Sequence, residues 1–163
     1  MTTTTTPHVI RPAPVRKSIE VAVGRDRAFE VFTARMARWW PRDKSIGRSP
    51  QVDVVLEPRD GGRWYERGED GAETEWGEVL AFEPPGRLLL AWRIDAQWAY
   101  DPNLHTEVEV LFREAGPGRT RVEVEHRKLE AFGDKAEAMR ELFDNLHAWI
   151  SVLDAYAAGV EAD

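Results

Sequence analysis

Tryptophans stand at Trp39, Trp40, Trp64, Trp76, Trp92, Trp98 and Trp149 in a chain of 163 residues. Each offers a broad flat face for stacking and one N–H donor, and an indole rarely disappears into a dry core unless that donor finds a partner. So many in a small domain imply that several line a cavity or its mouth. Proton transfer would have to come from histidine, a carboxylate or tyrosine. His126 and His105 are the candidate acid–base groups, with Tyr65 or an internal carboxylate as helper. Cysteine is absent, which excludes thiolate nucleophiles, disulfides and zinc–sulfur sites. No serine occupies a strand-to-helix elbow, and no two histidines have the spacing of metal ligands. Neither a metal nor a cofactor is expected.

The elements that must carry these residues follow from periodicity. Arg16–Val23 alternates as a strand. Gly24 breaks it, and Asp26 favours the first turn of a helix in which Phe29, Phe32 and Met36 share a face. Pro41 stops the helical excursion directly after Trp39 and Trp40. From there the period is two, with strands expected over 51–56, 62–67, 73–82, 88–98, 106–113 and 120–127, separated by Gly- and Pro-rich turns. Short connections imply an antiparallel meander and exclude repeated crossover helices. The last segment turns helical, with Asp134 and Glu137 as a capping box. Met139, Leu142, Leu146, Trp149, Ile150, Leu153 and Tyr156 form one stripe on a helix of about 22 residues, ~33 Å long, ending at Gly159.

Alternation assigns the faces. Leu88, Leu90, Trp92, Ile94, Ala96 and Trp98 point inward, as do Val108, Val110, Phe112, Val122, Val124 and His126. Glu107, Glu109, Glu123 and Glu125 point to solvent. Trp64 and Tyr65 are opposite in phase, and Trp76 competes with Val79 and Leu80 unless a bulge lies near Gly77. The expected cavity wall and ceiling are Trp64, Trp76, Trp92 and Trp149, with Trp39, Trp40 and Trp98 at the entrance and His126 as the polar group inside. Arg63 and Arg93 fall on the outer face, so anion contacts are expected from the rim, at Arg38 or Arg42.

The net charge of −7 argues against nucleic-acid binding. A local exception surrounds Trp39–Trp40, where Arg35, Arg38, Arg42, Lys44 and Arg48 face only Asp43. No membrane segment or targeting signal is visible, and residues 1–14 read as a loosely attached polar arm ahead of a single domain over 15–158. A cytoplasmic location is the expectation.

The stretch GGRWYERGEDGAETEWGEVLAFEPPGRLLLAW, then LHTEVEVLFREAGPGRTRVEVEHRKLE and a terminal LHAWISVLDAYAAG, resembles the bacterial homologues of the activator of the heat-shock protein 90 ATPase. These belong to the SRPBCC or START-like superfamily. The resemblance runs from about Val15 to Ala158 and rests on the order of Gly61-Gly62…Trp64, Gly77, Pro84-Pro85…Trp92 and Thr120…His126. It implies an α+β helix-grip fold, a curved antiparallel sheet wrapped around a long C-terminal helix, with a deep cavity between them for hydrophobic molecules. Where such chains often carry Gly-Trp at the start of the last helix, this one reads Phe143-Asp144-Asn145-Leu146-His147, which changes how closely helix and sheet approach. The family name does not imply chaperone stimulation here, because that activity needs surfaces and an added domain beyond these residues.

The function these features lead to is binding of a small hydrophobic or aromatic ligand in that cavity. The alternative is an enzyme of the cyclase, dehydratase or hydrolase type acting in the same place. Homodimerisation through the first-strand edge or the Trp39–Trp40 region is compatible with both.

Overall fold

A computed structural model describes residues 11–162. Seven strands form one antiparallel sheet: β1 (Val15–Val21), β2 (Gln51–Leu56), β3 (Arg63–Gly68), β4 (Glu73–Glu83), β5 (Arg87–Trp92), β6 (Thr106–Glu114) and β7 (Thr120–Arg127). Their order is β1-β7-β6-β5-β4-β3-β2, so β2 to β7 make a continuous meander and β1 adds to its far side. Helices α1 (Arg25–Thr33) and α2 (Met36–Trp39) lie between β1 and β2. A 3-10 turn (Leu129–Lys135), α3 (Ala136–Asp144) and α4 (Trp149–Glu161) follow β7. The curved sheet around the terminal helices is the helix-grip architecture. Of the arm expected over 1–14, residues 1–10 lie outside the described residues, and the Ala13 carbonyl accepts from Arg140 Nε.

The inward-facing residues of β5, β6 and β7 bury as alternation requires, from Leu88 and Leu90 to Val124 and His126. Across the core, Phe29 meets Phe82 and Phe112 edge-on, and Phe32 meets Phe112 and Tyr156. The Tyr156 hydroxyl donates to the Ala28 carbonyl at 2.6 Å, tying α4 to α1. Burial pushes the pKa of this hydroxyl up, so it stays a donor.

Several expectations change. The helical excursion is α1 with a short successor, since Arg35 leaves helical geometry before α2 starts, so Met36 falls on α2 and not on the helix of Phe29 and Phe32. The strand expected to reach Trp98 ends at Trp92. Beyond it Ile94 makes only an isolated bridge to Tyr100, and Trp98 sits in a turn with φ of 61°. The single long terminal helix is two helices. The Asn145 side chain accepts from the His147 backbone N–H and the Asn145 carbonyl from that of Ala148, a local turn that competes with helix. Leu146, placed on the apolar stripe by a continuous helix, is therefore 70% exposed. No side-chain cap precedes α3, and Gly159 lies within α4, which runs on to Glu161. A Cβ on Gly159 would stand 2.7 Å from that of Trp39, so this glycine serves close packing of α4 on α2.

Candidate functional site

A bulge in β4 builds one wall. The β3–β4 register steps from Trp64↔Gly77 to Tyr65↔Glu75, leaving Trp76 as the extra residue, so Trp76 and Trp64 both turn inward. Tyr65 is buried as well, beneath the Arg63 guanidinium at 3.9 Å from its ring. Gly77 is obligatory at this bulge, since an added Cβ would lie 1.7 Å from the Ala91 carbonyl oxygen.

The cavity, about 360 Å³, opens where sheet, helices and loops meet. The sheet side supplies Trp76, Trp92 and Ile94, and the terminal helices supply Leu142, Phe143, Trp149 and Val152. Trp40 with Asp43 to Ile46 forms a third side, and Trp98, His147 and Ala148 complete the mouth. Five of the eight residues expected at the site thus line it: Trp40, Trp76, Trp92, Trp98 and Trp149. Trp39, Trp64 and His126 stand one layer behind. Trp64 packs at 5.4 Å from Trp76 and 5.9 Å from Trp92, and Trp39 packs on Phe32 and Tyr156.

Every buried indole donor has an acceptor. Trp39 Nε1 donates to Val31 O, Trp40 to Lys44 O, Trp64 to Met36 Sδ and Trp92 to Ile94 O. Trp76 donates to Glu66 Oε1 and Trp149 to His126 Nδ1. The buried indoles therefore present ring faces and edges to the cavity, not free N–H groups. Trp98 alone is substantially exposed, at 44%.

His126 is wholly buried between Phe143, at 4.4 Å between ring centroids, and Trp92, at 5.2 Å. Nδ1 accepts from Trp149, so Nε2 carries the hydrogen and donates to Thr106 Oγ1 at 2.9 Å, which donates on to Trp92 O. Burial holds the imidazole down at about 3, so the ring is neutral and both nitrogens are occupied. His105 is also away from the cavity, hydrogen-bonded to Glu107 on the outer face. Burial pushes the Glu107 carboxyl up, but His105, Lys128 and Arg127 together outweigh it and hold its pKa at about 2.

Glu66 is the residue sequence reasoning missed. Its carboxylate, in a residue 1% exposed, accepts from Trp76 Nε1 (2.9 Å), Ile46 N (2.6 Å), Gly47 N (3.2 Å) and Ser45 Oγ (2.5 Å). It clamps the loop after α2 to the bulged strand and so fixes one side of the cavity. The signal was present: Glu66 shares the inward phase of Trp64 two positions away. The rim cations differ from expectation too. Arg42 reaches Gln51 O at 3.5 Å, and neither it nor Arg38 lines the cavity, whereas Lys44 does and its ammonium donates to the His147 carbonyl. Among the described residues, no three His, Cys, Asp or Glu side chains gather as metal ligands.

A family model described as Activator of Hsp90 ATPase homolog 1-like protein matches residues 22–157. The chain belongs to this family. Its structure is similar to the anthrahydroquino-gamma-pyrone synthase Txn09, with 39% identity over 90% of this chain and 96% of that one and a TM-score of 0.63. It is also similar to CalC, a self-sacrificing resistance protein from Micromonospora echinospora, at 29% identity over 92% of this chain and 95% of that one, with a TM-score of 0.70. Protein NE0264 from Nitrosomonas europaea, at 14% identity over 92% and 95% with a TM-score of 0.65, shares the fold alone. No curated protein matches. The fold is thus one that carries both a synthase and a resistance protein, and no helix among the described residues is long and apolar enough to cross a membrane.

Proposed function

We propose that this family member is an enzyme of the cyclase or dehydratase type acting on a flat aromatic substrate held in the tryptophan-walled cavity. The observation that carries this reading is the division of the cavity: aromatic faces from Trp40, Trp76, Trp92 and Trp149 inside, with Asp43, Lys44 and His147 at the mouth. The 39% identity to a pyrone synthase supports it. A planar substrate gains stacking and area burial from those faces, while Trp98 covers its outer end. Asp43 and His147 are the groups positioned to move protons to and from a reacting end left at the mouth. Trp39, Trp64 and His126 act from behind by fixing the wall.

The test is a 1-(2-hydroxyphenyl)-1,3-diketone carrying a fused aromatic ring. Attack of its phenol oxygen on the distal carbonyl with loss of one water gives a γ-pyrone, which is followed by absorbance and mass. Accelerated closure, lost when Asp43→Asn and His147→Gln are combined, is the expected result. Closure at the uncatalysed rate for every substrate in such a series overturns the enzyme reading.

A second reading, binding without turnover, is favoured by the occupied hydrogen-bond groups behind the wall. His126 in particular offers neither a free nitrogen nor a useful pKa. Quenching of tryptophan fluorescence by the same compounds with no product formed would select it.

A further inference from the structure

The donors of the buried tryptophans are occupied, only the exposed Trp98 at the mouth keeping a free N–H among the described residues, Ser45 Oγ is committed to Glu66, and His126 lies behind the wall. Polar recognition of anything in the cavity therefore falls to the mouth. There Lys44 is the only lysine or arginine among the lining residues. Its backbone is fixed from several sides: the carbonyl accepts from Trp40 Nε1 at 2.9 Å and Gln51 Nε2 at 3.3 Å, and the amide donates to Pro41 O at 3.0 Å. Its side chain is held far less. The ammonium makes one contact, to the His147 backbone carbonyl across the mouth, and among the described residues no carboxylate pairs with it. This is unusual in a chain of net charge −7, whose outer-face arginines are nearly all in carboxylate pairs, as at Arg63, Arg87 and Arg127. Asp43, the acid beside it, is exposed and screened by water.

We propose that Lys44 is the anion anchor of this cavity, and that the ligand it selects is a flat aromatic carrying an acidic oxygen at one end, as carboxylate, phenolate or enolate. The inference rests on the cavity reading above and narrows its ligand class. The aromatic body enters between the tryptophan faces. The anionic end stays at the mouth, where an ammonium with unused N–H groups replaces or shares its contact to the His147 carbonyl. Before a ligand enters, that contact is a strap joining the loop after α2 to the α3–α4 connection. In the free protein it keeps the ammonium hydrogen-bonded without neutralising it, which a carboxylate partner would do. A ring closure that begins from a phenolate or passes through an enolate would find the same cation beside its charged oxygen.

The test compares two probes of nearly equal shape, anthraquinone-2-carboxylate and anthraquinone-2-carboxamide, by quenching of tryptophan fluorescence. The wild-type protein is expected to bind the carboxylate about tenfold more tightly, the scale of one charge-assisted hydrogen bond at a half-exposed site. Lys44→Met keeps the stem, and it is expected to abolish that preference while leaving the carboxamide affinity within about twofold. Lys44→Arg should retain the preference. Arg42→Met, a cation change outside the wall, should leave it intact and so separates direct contact from the general field. Equal affinities for the two probes in the wild type, or a preference that survives Lys44→Met, overturn the anchor while leaving the cavity reading in place. Binding of neither probe overturns both.

Discussion

His126, an acid–base candidate in the sequence, stands behind the cavity wall with both ring nitrogens hydrogen-bonded. Its neutral ring links Trp149 to Thr106, and its depressed pKa has a consequence with a definite sign. The unfolded imidazole takes up a proton as pH falls through about 6.5, whereas the native one does not. This group therefore costs nothing above that value, and below it native stability falls with pH, because burial holds the native imidazole at about 3 and keeps it neutral while the unfolded one is protonated. Glu107, held at about 2, begins to add its own loss only below about 4.5. His126→Gln can still accept from Trp149 and donate to Thr106. It is expected to flatten the stability profile between about pH 6 and 4.5 in urea unfolding series, and an unchanged profile would contradict a neutral buried imidazole. Glu66 makes the complementary case. Glu66→Ala leaves several buried donors without acceptors and should cost about 3 kcal/mol or more. Glu66→Gln should cost less, because its amide oxygen can keep the N–H donors while its NH2 group donates to Ser45.

At the scale of elements, backbone contact decides what is permitted. The bulge at Trp76 exists because Gly77 lets β4 approach Ala91, and Gly77→Ala is expected to lose stability beyond the ~1–3 kcal/mol typical of overpacking. A Gly77→Ala protein that melts with the wild type would show that the strand has another register open to it. Gly159→Ala meets a side-chain carbon rather than a carbonyl, and its expected cost falls within that ~1–3 kcal/mol, read by thermal or urea unfolding. The break at Asn145–Ala148 matters to the site for another reason. It turns His147 and Ala148 to the mouth, and Phe143 packs against His126 and Trp92. A continuous helix would have carried Leu146 to the sheet side instead of solvent.

For the molecule as a whole, the tryptophans form one connected body rather than separate features: Trp39 to Trp40, Trp40 to Trp64 and Trp76, Trp64 to Trp92, and Trp92 to Trp149, with ring centroids 5.0 to 6.4 Å apart. Only Trp98 stands apart and in water. Trp98→Phe is therefore expected to remove most of the acrylamide-accessible fluorescence without lowering stability by more than about 0.5 kcal/mol. Retention of that accessible emission would mean that a buried indole is reached from the cavity. The meander, the inward phases of β5 to β7 and the aromatic excess were legible in the residues, because alternation and turn chemistry are local and the period of two is rigid. The fold family was legible for the same reason, being a sequence of such local signals in order. The identity of the wall was not. Which indole faces the cavity and which stands behind it depends on bulge register and on how far α4 approaches α2. The acceptor for Trp76, the neutrality of His126 and the place of Lys44, rather than Arg38 or Arg42, in the cavity lining depend on groups brought together from distant segments. Periodicity carries information about neighbours two to four residues apart, and only the folded chain brings Glu66 to Ser45 or Lys44 to His147.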